Sequence, residues 1–385
     1  MIPYGRQSIS EVDIQAVVDV LRSDYLTQGL VVPQFEQAVA DYVGASYGVA
    51  VNSGTSALHI ACLALGLGEG DWLWTSPITF VASSNCGLYC DAKVDFVDID
   101  AQTFNMSVTA LECKLQEAEK RGVLPKIVVP VHFAGQSCDM QAIGRLAKRY
   151  GFYVIEDACH AIGGQYQEEF IGSGRYSDIT VFSFHPVKII TTAEGGMAMT
   201  NQPLLAEKMQ LLRSHGITRD VDKMTHHPDG AWYYQQIDLG FNYRMTELQA
   251  ALGLSQLSRI AGFIKRRQQV ARQYQKLLVN LPVDYQRSAE SDGSAWHLFV
   301  IRLHLEQMKL SHQQVFNALR KSNIGVNLHY IPVHLQPYYQ QLGFKRGDFP
   351  EAENYYQEAI SLPLFFELSD ADIRSVVECL KTILS

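Results

Sequence analysis

FYVIEDACH (152–160) and DITVFSFHPVK (178–188) carry the reading of the fold. Each carries a run of mostly β-branched or aromatic residues followed by polar ones. A strand without apolar–polar alternation is one that a sheet buries on both faces. Five further runs of this kind flank the pair: YGVAVN (47–52), DWLWTS (71–76), KVDFVDI (93–99) and KIVVPVHF (126–133) before it, and GMAMT (196–200) after it. Helical patterns lie between them at 55–65, 79–89, 108–121 and 139–150. Strands alternating with helices predict an α/β fold whose seven strands form a mainly parallel sheet sandwiched by crossover helices.

The flanking segments extend this picture. Ser10 can cap a first helix, with Asp13 in the capping-box position and Val17, Val18 and Leu21 on one face. A loop at 24–32 leads to a second helix that ends at Gly44. After an irregular stretch at 216–243, a long helical pattern runs from about Thr246 to Leu281. The texture then changes to HLFVIRL (297–303), a helix at 311–322, GVNLHYIP (325–332) and helices near 351–360 and 370–384. The expected organisation is a large domain over 1–245, followed over 246–385 by a connecting helix and a small C-terminal α+β domain.

Composition narrows the function. A net charge of −8 argues against a nucleic-acid binder, which needs a basic face. No stretch of about 18 apolar residues occurs, so no membrane span is expected. The N-terminus MIPYGRQSIS lacks a basic region followed by an apolar run, so no signal peptide is expected. Seven scattered cysteines form no C-x-x-C pair and no zinc-type spacing. Free thiols in a cytoplasmic protein, with no metal, fit this pattern.

Chemistry concentrates at strand ends, where an open α/β sheet gathers its ligand groups. The apolar run DITVFSF delivers Ser183, and Lys188 follows in a turn ahead of TTAEGG (191–196). A surface lysine is the ordinary alternative. A lysine that forms a Schiff base must instead be partly desolvated so that its amine can be neutral. Upstream, Asn52-Ser53-Gly54-Thr55-Ser56 follows a strand and opens a helix. Free N–H groups and the dipole end there suit a phosphate, although Ser and Thr also cap helices for structural reasons alone. Asp157 ends a buried-type strand, where a carboxylate is costly without a partner. In a pyridoxal phosphate site the protonated ring nitrogen is that partner, and the cationic ring acts as an electron sink. An N-cap or a metal ligand is the alternative reading of Asp157.

NSGTSAL (52–58), the TFVA run (79–82), EDACHA (156–161), SFHPVK with TTAEGG, RSHG (213–216) and NYRM (242–245) together resemble the DegT/DnrJ/StrS family. These are sugar-nucleotide aminotransferases of fold type I, and the likeness runs from Ile2 to the C-terminal helix. LTQG (26–29), TTAEGG and HYIPVH (329–334) look most like the branch serving pseudaminic acid biosynthesis. That branch aminates a UDP-linked 4-keto-6-deoxy-N-acetylhexosamine (the altrosamine precursor) with glutamate as donor.

The resemblance implies roles. Lys188 would form the Schiff base with pyridoxal 5'-phosphate and shuttle the proton to the sugar carbon. Asp157 would pair with the ring nitrogen, and His160 would lie near the phenolic oxygen, where the family often carries Gln. Phe80 would stack on the ring, with a buried core Phe as the alternative. Thr55, Ser56 and Ser183 would hold the phosphate. Asn242 would reach the cofactor phosphate of the neighbouring subunit, implying a homodimer with shared sites. Tyr4, Leu26, Thr27, Gly54, Ser183, Asn242, Asn327, His329 and Tyr330 would contact the sugar nucleotide. For Leu26, plain packing is the alternative, and His329 and Tyr330 also suit a strand end.

A dehydratase of the same fold would carry His where Lys188 stands. A cofactor-sensing regulator would need a DNA-binding module, and no segment is spare for one. Amination of another nucleotide-linked 3- or 4-keto sugar remains the open alternative.

Overall fold

The computed structural model describes residues 1–287 and 293–384. Helices α1 (Glu11–Leu21) and α2 (Val31–Val43) come first. The Ser10 hydroxyl accepts the Asp13 amide, and the Asp13 carboxylate accepts the Ser10 amide at 2.8 Å, so the expected capping box is present. Helix α2 ends at Gly44 in the left-handed conformation (φ 79°), which a residue without a Cβ adopts freely.

All seven apolar runs form strands of one sheet: β1 (Tyr47–Val51), β2 (Trp72–Thr75), β3 (Lys93–Phe96), β4 (Ile127–Val129), β5 (Tyr153–Asp157), β6 (Ile179–Ser183) and β7 (Gly196–Thr200). Their spatial order is β1-β7-β6-β5-β4-β2-β3. The pairs β3/β2, β2/β4, β4/β5 and β5/β6 are parallel, whereas β7 runs antiparallel to both β6 and β1. The crossover helices are α3 (Gly54–Ala64), α4 (Ala82–Leu88), α5 (Val108–Arg121) and α6 (Met140–Tyr150), followed by α7 (Pro203–Arg213). Strand residues such as Val49, Val129, Ile155 and Val181 are fully buried, as unalternated apolar runs require.

The long helix expected from Thr246 is two helices, α8 (Glu247–Ser258) and α9 (Ile260–Leu278), broken at Arg259 (φ −101°, ψ −3°). The break has a docking reason. Arg259 and Gln256 both reach the fully buried Asp13 at 2.8 Å, which fastens α1 to the end of α8. Beyond α9 a three-stranded antiparallel sheet forms from β8 (Val283–Tyr285), β9 (Phe299–Leu303) and β10 (Ala359–Leu362). Helices α10 (His312–Lys321), α11 (Pro350–Glu358) and α12 (Asp370–Leu384) accompany it. GVNLHYIP forms no strand; it meets this sheet at Ser361, through the isolated bridge from Asn327 and the His329 Nδ1 contact with the Ser361 hydroxyl at 2.8 Å. Residues 359 and 360, expected in a helix, begin β10, because that segment lies fully buried beside β9.

No helix among the described residues is long and apolar enough to cross a membrane.

Candidate active site

A cavity of about 490 Å³ opens where β1, β5 and β6 end. Residues 156 and 157 show how the strand builds it. Adjacent strand residues point to opposite faces. Glu156 turns to the fully buried His132, with Oε2 2.6 Å from Nε2, and also accepts from Thr180 at 3.1 Å. Asp157 turns to the cavity, where Oδ2 accepts the Ser83 hydroxyl at 2.6 Å and Oδ1 accepts the Cys159 amide at 3.1 Å. The two carboxylates are thereby kept on separate networks.

Lys188 follows β6 in a turn closed by its amide bonding the His185 carbonyl at 2.9 Å. The loop folds back on itself through Phe184 N–H to Gly195 O at 2.9 Å and Thr192 N–H to Phe184 O at 3.0 Å. This presents the Lys188 side chain to the same cavity as Asp157. Burial lowers the amine's pKa below the usual lysine range, against the opposing pull of Cys159 and Asp157.

The N-terminus of α3 forms a third wall. The Ser53 side chain caps the helix by accepting the Ser56 amide at 3.1 Å. First-turn amides have no partner within a helix, so those of Gly54 and Thr55 remain as donors at the cavity edge. A Cβ on Gly54 would meet Ser183 Cβ at 3.0 Å, so a side chain there would press the helix end against β6.

Histidines and a tyrosine complete the surface. The Ala134 amide donates to His160 Nδ1 at 3.3 Å, which leaves the ring hydrogen on Nε2, 3.1 Å from the Tyr330 hydroxyl oxygen. That hydrogen occupies the tyrosine oxygen as acceptor and frees the tyrosine proton for donation. Burial, then the charges of Lys188 and His329, hold His160 well below the usual histidine range. Burial and Lys188 likewise bring His329 down to about 4. Burial raises Tyr330 above the ordinary phenol range.

The family's sequence profile, described as the DegT/DnrJ/EryC1/StrS aminotransferase family, matches residues 7–381. The chain belongs to this family. It is 40% identical to the spore coat polysaccharide biosynthesis protein SpsC of Bacillus subtilis, over 99% of this chain and 97% of that protein. It is 35% identical to the UDP-4-amino-4,6-dideoxy-N-acetyl-beta-L-altrosamine transaminase of Campylobacter jejuni, over 100% of this chain and 98% of that one. Among solved structures, Helicobacter pylori PseC, an aminotransferase involved in the biosynthesis of pseudoaminic acid, superposes with TM-score 0.91 at 30% identity, covering 100% and 99% of the two chains. The PLP-form of the putative sugar aminotransferase Spr1654 from Streptococcus pneumoniae superposes with TM-score 0.89 at 30% identity, covering 99% and 98%. A sugar aminotransferase of a pyridoxal-phosphate-dependent family is therefore the enzyme class of this chain.

Most of the residues singled out in the sequence come together in this DegT-family fold. Tyr4, Gly54, Thr55, Phe80, Asp157, His160, Ser183, Lys188, His329 and Tyr330 all line the one cavity. Phe80 is 59% exposed on its rim, 6.4 Å from the Tyr330 ring, which removes the core-packing alternative.

Others lie elsewhere. The Ser56 hydroxyl donates to Asn52 Oδ1 at 2.7 Å and does not line the cavity, whereas the capping residue Ser53 does. Asn327 stands behind His329, its amide nitrogen 3.5 Å from Nε2. Leu26, Thr27 and Asn242 are exposed and away from this chain's cavity.

Sequence reasoning passed over Ser83, Thr79, Cys159 and His297. The His297 ring packs 4.4 Å from His160. Thr79 and Ser83 stand four apart, the spacing that puts two residues on one face as a helix begins. That signal was available in TFVASS (79–84).

Proposed function

We propose that the enzyme moves an amino group from glutamate to the 4-keto carbon of a UDP-linked 4-keto-6-deoxy-N-acetylhexosamine, with pyridoxal 5'-phosphate held at Lys188. The observation that carries this is the meeting of Lys188, Asp157 and the α3 N-terminus around one cavity of about 490 Å³. The residues present fit the cofactor: a desolvated amine for its aldehyde, an acid for its ring nitrogen, and free amides beside Ser183 for its phosphate.

When bound, the cofactor supplies an electron sink for the carbon that gains or loses a proton. The chain's own groups do the rest. The Lys188 amine takes a proton from the donor's carbon and returns one to the sugar carbon. Asp157 would serve as the counter-charge of the ring nitrogen. The Gly54 and Thr55 amides with Ser183 would hold the phosphate, and Phe80 would cover the ring. His160, held neutral, donates its ring hydrogen to the Tyr330 oxygen, which leaves the Tyr330 proton for a substrate oxygen.

Tyr4, His329 and Tyr330, with Asn327 behind them, bear on the sugar nucleotide. Because Leu26, Thr27 and Asn242 stand away from this chain's cavity, we assign them to the site of a second copy, in a cytoplasmic homodimer. The substrate assignment leans on the Campylobacter jejuni and Helicobacter pylori relatives.

The higher identity to SpsC favours a second reading, amination of another nucleotide-linked keto sugar. A panel separates the two. Enzyme loaded with amino-form cofactor is mixed with UDP-, dTDP- and GDP-linked keto sugars, and return of the yellow absorbance is followed. The UDP-linked 4-keto N-acetyl sugar should react fastest, and NMR of its product should place the amine at carbon 4. Preference for a dTDP or GDP sugar would remove the substrate assignment and leave the aminotransferase reading intact.

A further inference from the structure

The Asp157 carboxylate is addressed by a chain of hydroxyls. Ser83, on the first turn of α4, is fully buried and lies 2.6 Å from Asp157 Oδ2. The hydroxyl of Thr79, only 3% exposed, lies 2.6 Å from Ser83 Oγ. A hydroxyl has one proton, and an ionised carboxylate can only accept. Ser83 therefore donates to Asp157 and accepts from Thr79; its remaining contact, the Phe80 carbonyl at 3.3 Å, is longer. Every proton in the chain is aimed at the acid.

The second torsion of an aspartate side chain is soft and roughly two-fold, so packing alone does not set the plane of its carboxylate. Separate donors on the two oxygens do set it: the Cys159 amide on Oδ1 and Ser83 on Oδ2. The helix that carries Ser83 is itself tied down. Tyr339, 2% exposed, bonds Ser84 and Asn85 on that helix, each at 2.6 Å.

We propose that Ser83, backed by Thr79, is a positioning residue that fixes the plane of the Asp157 carboxylate so that its free lone pairs face the cofactor's ring. A fixed acid acts without reorganising during the reaction. The inference rests on the role given to Asp157 above.

The test compares wild type with Ser83→Ala, Ser83→Thr, Thr79→Val and Asp157→Asn. Cofactor dissociation is read by fluorescence quenching, together with the absorbance band of the bound cofactor, kcat and KM separately, and the melting temperature of the cofactor-free protein. A hydrogen bond to a charged group corresponds to about a ten- to hundredfold effect. Ser83→Ala should weaken cofactor binding and lower kcat by that factor and shift the band, with KM for glutamate little changed and cofactor-free melting close to wild type. Ser83→Thr, which keeps the hydroxyl, should recover most of the loss, and Thr79→Val should show a smaller effect of the same sign.

Wild-type binding, spectrum and kcat in Ser83→Ala would overturn the proposal. If Ser83→Ala does not fold, Thr79→Val decides alone, and wild-type behaviour there has the same consequence. Asp157→Asn separates the two layers. A silent Asp157→Asn removes the role of Asp157, whereas a defective one beside a silent Ser83→Ala removes only that of Ser83.

Discussion

Gly196 presses the start of β7 against Ser53: a Cβ at residue 196 would stand 2.4 Å from the Ser53 carbonyl oxygen and 2.6 Å from the Gly54 amide nitrogen. Both obstacles are backbone, so neither can swing aside. Gly196→Ala should cost about 2–3 kcal/mol of stability, the range of an overpacked core. Urea unfolding measures it, and a loss below about 0.5 kcal/mol, the level of a neutral surface change, would contradict the tight approach.

Lys188 should be the attachment point of the cofactor. Borohydride treatment of the yellow protein should leave the cofactor covalently on the peptide containing Lys188, as read by mass spectrometry. Lys188→Ala should show no adduct and lose about 10²–10⁴-fold in turnover, the usual contribution of a positioned acid–base group. An adduct on another lysine would refute the assignment.

Asp157→Asn removes a charge while keeping the shape. Turnover should fall about 10²–10³-fold, as when preorganised electrostatic support is lost, with KM for glutamate changing little. A deficit of only a few-fold would mean that the ring does not depend on this acid.

Stability should decline with acid. His160 and His297 lie well below the usual histidine range, and His329 is at about 4, chiefly through burial. A histidine whose folded pKa is depressed stays neutral in the native state while the unfolded chain takes up a proton below about 6.5, so unfolding gains with falling pH. The melting temperature of the cofactor-free protein should thus be higher at pH 7.5 than at pH 5, with the loss setting in below about 6.5. His329→Asn should flatten the curve, and a profile independent of pH across this window would show that these rings are not buried neutral.

Much of this was readable in advance because it rests on composition along short segments. The seven strands announce themselves as apolar runs, and Lys188, Asp157 and Gly54 fall at their ends. The reversal of β7 was less visible, since GMAMT reads alike in either direction. Its clue was the connection: residues 184–195 hold no helical pattern, and parallel neighbours need a crossover that usually contains one.

The break at Arg259 had no local mark, because SQLSRIAGF (255–263) contains no proline or glycine at the break. It follows from the distant Asp13. Ser83 and His297 escaped notice for the same reason. Their meaning lies in side chains far along the sequence, and a serine or a histidine by itself gives no sign of such a partner. Which of the neighbouring hydroxyls at 53, 55 and 56 caps the helix and which faces the cavity is likewise set by geometry that residue types do not reveal.

The placing of β7 also governs the order in which the enzyme can assemble during synthesis. β1 is an edge strand whose single ladder neighbour is β7. A nascent chain that has reached β6 holds the first strand with no strand to pair with, and the turn at Ser53–Thr55 hangs from that strand. Pairings so distant along the chain are slow to close and expose apolar surface meanwhile. The loop that delivers Lys188 and the strand that presses on Ser53 leave the ribosome one directly after the other, so these two walls of the cavity become available together.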